Sequence, residues 1–84
     1  MTSDADIARN AIFEVIDNQL KAGNPPEVKE TLKRLLASGH SEKEARRLLG
    51  CVVTVEIFAV LNEGREYDQA RYVAALRALP KLPF

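Results

Sequence analysis

The chain has 84 residues, 46% of them hydrophobic, with 12 basic residues set against 12 acidic ones. That length holds one small helical domain, residues 1 to 84, with a modest buried fraction, and formal neutrality leaves no global field to recruit nucleic acid or an anionic membrane. The single cysteine, Cys51, excludes an intrachain disulfide and a cysteine-built zinc site, and points to a reducing, cytoplasmic setting.

The opening stretch, MTSDADIARN, is acidic and has neither the basic flank and apolar run of an export signal nor a glycine at position 2 for myristoylation. A first helix is expected near residues 4 to 22, capped by Ser3 or Asp4. Ile7, Ala8, Ala11, Ile12, Val15, Ile16 and Leu20 follow three- and four-residue spacing and give one broad apolar face. Arg9 and Gln19 fall within or at the rim of that face and need partners. Gly23 supplies the left-handed residue that commonly ends a helix.

Asn24-Pro25-Pro26-Glu27 reads as a sharp helix start, with Asn24 as the cap and Pro25 at the first helical position. The second helix then covers residues 26 to 38, with Val28, Leu32, Leu35 and Leu36 as its buried stripe and Lys29, Glu30, Lys33 and Arg34 solvated. Gly39 closes it. Ser41 and Glu44 form a capping-box pair that opens the third helix after a very short turn.

That third helix, residues 42 to 62, is the most apolar part of the chain. Val52, Val53, Thr54, Val55 and Ile57 are β-branched and would suit a strand, but no second strand of similar character exists to pair with it. Gly50 is the only helix-weakening residue inside it, at a cost of about 1 kcal/mol relative to alanine, and is tolerated where another backbone packs close. At 14 mostly apolar residues, Leu48 to Leu61 is shorter than the roughly 20 needed to span a bilayer. Ala45, Leu49, Val52, Glu56, Ala59 and Val60 share one face, so the carboxylate of Glu56 points where the aliphatic residues point.

Asn62-Glu63-Gly64 ends the helix. Asp68 caps a fourth, residues 69 to 79, with Tyr72, Val73, Leu76 and Leu79 as its stripe, and Pro80 stops it. The tail, residues 80 to 84, either packs Leu82 and Phe84 on the domain or frays. The expected fold is therefore all-α: a small four-helix domain, orthogonal or bundle-like, around a central apolar third helix.

Chemistry is sparse. LASGHSEKEARRLLG followed by CVVTV echoes a helix-turn-helix, but a recognition helix must offer polar or basic side chains to bases and phosphates. Here Cys51 to Leu61 offers only Thr54 and Glu56, which disfavours nucleic acid. Ubiquitin-associated three-helix domains share the same glycine turn, yet His40 stands where their aromatic normally follows it. His40 suits a helix-end carbonyl better than a metal, and no phosphate-cradling loop or catalytic dyad is present.

The constellation that stands out is buried polarity: Arg9, Gln19 and Glu56. A carboxylate on an apolar face must be paired, hydrogen-bonded or protonated, so Glu56 is expected to pair with Arg9 or to accept from Gln19.

From about Asn10 to Pro80, DNQLKAGNPPEVKETLKRLLASGHSEKEARRLLGCVV followed by the EIF, EGR, YD and ARYVAALRALP segments resembles a family of small uncharacterised bacterial all-helical proteins. That family's two His-x-x-x-His pairs would suit a metal. In this chain the corresponding positions hold Arg9 and Phe13, then Lys43 and Arg47, so the resemblance carries no metal role over. The expectation is a non-enzymatic interaction or structural domain, self-associating as a homodimer or meeting a protein partner, with no cofactor and no metal. The alternative is a small-molecule or metal binding domain built on Arg9, Gln19 and Glu56.

Overall fold

A computed structural model describes residues 3 to 83. Its four helices are α1 (Asp4–Ala22), α2 (Pro26–Ala37), α3 (Glu42–Asn62) and α4 (Gln69–Ala78), with no strand among the described residues. The fold is all-α. Helices α2 and α3 each pack against all the others, whereas the backbones of α1 and α4 do not meet.

Local chemistry sets the helix ends. The hydroxyl of Ser3 accepts from the Asp6 amide at 3.1 Å, that of Ser41 from the Glu44 amide at 3.1 Å, and the carboxylate of Asp68 from the Arg71 amide at 3.1 Å. Each supplies an acceptor to a first-turn N–H that lacks an intrahelical partner. At the other end of α1, Gly23 takes φ +68° and the amides of Gly23 and Asn24 both return to the Gln19 carbonyl. The side chain of His40 lies at the end of α2, its Nδ1 3.2 Å from the Leu35 carbonyl.

Helix α2 begins at Pro26, the start expected for it, but its cap differs from the one expected. Pro25, not Asn24, is the N-cap, and it contributes no side-chain hydrogen bond. Its extended backbone (φ −71°, ψ 147°) leaves Pro26 to take the first helical position, where a missing N–H costs nothing. The buried stripe also differs, running through Val28, Thr31 and Leu35, while Leu36 is left 41% exposed. The helix has turned toward α3 and α4 on its 28-31-35 side. That turn recruits Arg34, expected in solvent, to the end of α4, where the guanidinium donates to the carbonyls of Leu79 (2.6 Å), Leu76 (3.1 Å) and Arg77 (3.3 Å). The end of α4 thus has its carbonyls held by a cation from another helix, the Leu76 oxygen accepting from the Leu79 amide as well.

The core forms around α3. Ile16 from α1, Val28 and Leu35 from α2, Leu49, Val52 and Val53 from α3, and Tyr72, Leu76 and Leu79 from α4 are all buried, and Leu82 packs against them from the tail. Phe84 lies outside the described residues. Helix α1 crosses α3 at Gly50, but the nearest neighbours of that glycine are the side chains of Ile12, Phe13 and Ile16 rather than backbone. Arg46 reinforces the crossing: its guanidinium donates to Asp17 at 2.6 Å and lies 5.2 Å from the centre of the Phe13 ring.

Past the crossing, the helices diverge from what their apolar patterns call for. Of the broad face expected to bury α1, Ile16 alone is fully enclosed, and Ile7 is 56% exposed. The last turns of α3 leave Ile57, Phe58 and Leu61 exposed as well, Leu61 by 75%.

Candidate functional site

The face of α3 that carries Glu56 looks into a cleft of about 320 Å³. Val15 and Gln19 of α1 form one wall, Val53, Glu56, Ile57 and Val60 of α3 the floor, and Tyr67 and Tyr72 the far side. Periodicity explains the placement. Val15 and Gln19 are one turn apart on α1, Val53, Glu56 and Val60 lie along one side of α3, and Tyr72 heads the stripe of α4.

Glu56 is 8% exposed and fully engaged. Arg71 clasps it with two parallel bonds, Nη2 to Oε1 at 2.8 Å and Nε to Oε2 at 3.1 Å, and the Asp68 amide donates to Oε1 at 3.3 Å. The Arg71 guanidinium, assisted by that amide, holds the carboxyl below the usual glutamate range despite the opposing effect of burial. Arg71 is shifted the other way, its cation favoured by Glu56. Both carboxylate oxygens are therefore committed to fastening the start of α4, and the connection before it, to α3. A carboxylate so held is ionised and bidentate-paired, and is a poor general acid or base.

Gln19 finds a different partner. The buried Tyr72 hydroxyl donates to Gln19 Oε1 at 2.8 Å, joining α1 to α4, whose backbones do not touch. Burial pushes the Tyr72 phenol up to about 12, so it is a hydroxyl donor throughout the neutral range. The ring of Tyr67 lies 6.2 Å from that of Tyr72, tilted by 59°. Burial and the nearby charges of Glu56 and Asp68 raise the Tyr67 phenol too.

Arg9 does not join them. It donates to Asp6 at 2.6 Å on the exposed side of α1, with 64% of its side chain in solvent. The expected Glu56 partnership with Arg9 or Gln19 is thus replaced by two separate pairs, Glu56 with Arg71 and Gln19 with Tyr72. Both cluster members other than Arg9 do line the same cleft. Arg71 is the residue that reading the chain missed. Its signal was indirect: an acid on an apolar face demands a cation, and Arg71 precedes Tyr72, the first apolar residue of the α4 stripe.

No family model, curated protein or solved structure matches the chain.

Arg9 pairs with Asp6, Phe13 lies beside Arg46, and Arg47 donates to both oxygens of Glu44 at 3.1 and 2.6 Å. Among the described residues, no three histidine, cysteine or acidic side chains converge in a way that would hold a metal ion. No helix there is long and apolar enough to cross a membrane.

Proposed function

We propose that the protein is a self-associating interaction domain whose contact surface is the apolar face left open between the first half of α1 and the last turns of α3. The observation that carries this reading is the contiguity of the exposed side chains. Ile57, Phe58 and Leu61 of α3 border a groove of about 380 Å³ whose other side is Ala8, Ala11 and Ile12 of α1, and no charged residue among those described lines it.

Area supports the reading. A folded monomer of 9.3 kDa exposes about 5,000 Å², whereas this chain exposes 5690 Å². The surplus, roughly 700 Å², approaches the ~800 Å² that each partner contributes to a standard interface. The surface also offers both halves of a two-fold contact, since the bulky Phe58 and Leu61 stand beside a seat of small residues, Ala8 and Ala11, into which a second copy's equivalents fit. A two-fold interface needs such self-complementarity.

Sedimentation equilibrium tests it. A dimer is expected at micromolar concentration, weakened at least about tenfold by Phe58→Glu, a change at a 59% exposed position that spares the core. A strict monomer at high micromolar concentration would overturn the proposal, as would a dimer indifferent to Phe58→Glu.

A further inference from the structure

The cleft beside Gln19 adjoins the groove of the proposed interface, sharing Val15, Ile57 and Leu61 with it, but Gln19, Glu56, Tyr67 and Tyr72 belong to the cleft alone. Its walls are aliphatic on two sides and aromatic on the third, and at about 320 Å³ it reaches the lower end of the range occupied by small-molecule sites. Nearly every polar atom facing it is already bound. Both oxygens of Glu56 are taken by Arg71 and the Asp68 amide, and the Tyr72 hydrogen is given to Gln19 Oε1. What remains is the side-chain amide NH₂ of Gln19 and, at the half-exposed rim, the hydroxyl of Tyr67; neither makes a hydrogen bond among the described residues, and the Gln19 NH₂ is not sealed away from solvent.

We propose that this cleft binds a small neutral molecule with an apolar body and one hydrogen-bond acceptor, such as a carbonyl, that receives the Gln19 amide. Selectivity follows from the charges around the site. An anion would enter beside the ionised Glu56 with no free cation lining the cleft to meet it. A cation would find Glu56 already neutralised by Arg71, with only the weak attraction of the tyrosine ring faces to offset its lost hydration. A ligand with no acceptor would leave the amide donor desolvated and unpaired. Tyr67 sits on the connection between α3 and α4 and is half exposed, so its ring forms the outer rim against which the apolar body rests.

The test uses 2-nonanone as the probe, with nonanoate and nonylamine as charged counterparts of equal chain length. The titration is followed by amide NMR, including the side-chain amides, on the Phe58→Glu protein so that self-association does not intervene. The ketone is expected to move the Gln19 side-chain amide together with the backbone of Val53 to Val60 and Tyr67, and to bind at least about tenfold more tightly than either charged analogue. Gln19→Glu keeps an acceptor for the Tyr72 hydroxyl but removes the donor, and is expected to weaken the ketone about tenfold. Val60→Phe, which fills the floor of the cleft, should abolish binding without touching Gln19. The proposal is overturned if the ketone leaves the Gln19 amide unmoved, or binds no better than its charged analogues. It is equally overturned if both folded variants retain wild-type affinity. None of these outcomes bears on sedimentation of the unmodified chain, so failure here and failure of self-association are distinguishable.

Discussion

Gly50 offers the most direct test of how α1 and α3 meet. It lies buried in the middle of α3, and unlike Gly23, Gly39 and Gly64 it has no positive φ, so its backbone suits any residue. A methyl group built on it would sit 3.5 Å from Ile12 Cγ2, 3.8 Å from Phe13 Cε1 and 4.0 Å from Ile16 Cδ1, all ordinary contact distances. Gly50→Ala should therefore recover about 1 kcal/mol of helix propensity. It should also bury one more methyl group, worth up to ~0.8 kcal/mol. The combined gain of about 1–2 kcal/mol corresponds to a rise in Tm of several degrees, at roughly 4–8 °C per kcal/mol for a chain of this size. Thermal and urea denaturation followed by circular dichroism, with both proteins at one concentration, reads this directly. Gly50→Leu is the contrast, since the added bulk must displace Ile12 and Phe13 at a cost of about 1–3 kcal/mol. If Gly50→Ala instead destabilises the protein, α1 approaches α3 more closely than these distances allow, and the placement of the open groove beside the crossing falls with it.

Two further outcomes follow from the charged contacts. The Glu56 carboxyl is held below its ordinary value of 4.5, so its contribution to stability is present above that pH and is lost as pH falls through the lower folded value. Glu56→Gln should flatten the acid side of the stability profile below about pH 4.5, and an unchanged acid slope in urea titrations would show that the Arg71 clasp contributes nothing. Arg34→Met removes three donations to the end of α4 and is expected to cost about 1–3 kcal/mol. Arg34→Lys should recover only part, because one ammonium does not reproduce the fork; hydrogen exchange that leaves Leu79 and Lys81 equally protected in Arg34→Met would contradict that role.

The features legible in the sequence are those set within a turn of each residue. Ser3, Ser41 and Asp68 act on amides three residues ahead, and the side chains that cap and the residues that follow them sit together in the chain. The features that were not legible depend on how helices are turned against one another. Glu56 and Arg71 are 15 residues apart, Arg34 and Leu79 are 45 apart, and Gln19 and Tyr72 are 53 apart. The helical wheel correctly put Glu56 and Gln19 on inward-looking faces. It had no means of separating Arg9, one turn before the crossing and in solvent, from residues of the same stripe beyond it. The stripe of α2 shows the same limit: Thr31 and Leu36 differ in hydropathy in the direction opposite to their burial. Tertiary orientation overrode the local preference.

That limit also explains where function can reside. Helix α3 is 21 residues, about 31 Å, and apolar on more than one side. Three partners of 10 to 19 residues, one of which crosses it at Gly50, cannot cover such a rod to its end. The buried polar groups meanwhile work as fasteners: Glu56 secures α4 through Arg71, and Tyr72 secures α1 through Gln19. Once the acid is tied up this way, the chemistry of the cleft passes from Glu56 to the unspent donor of Gln19, and the chemistry of the surface passes to Phe58 and Leu61. The carboxylate that the sequence makes conspicuous is then the residue that builds the cleft, while the inconspicuous amide of Gln19 is the donor that the proposed ligand would meet.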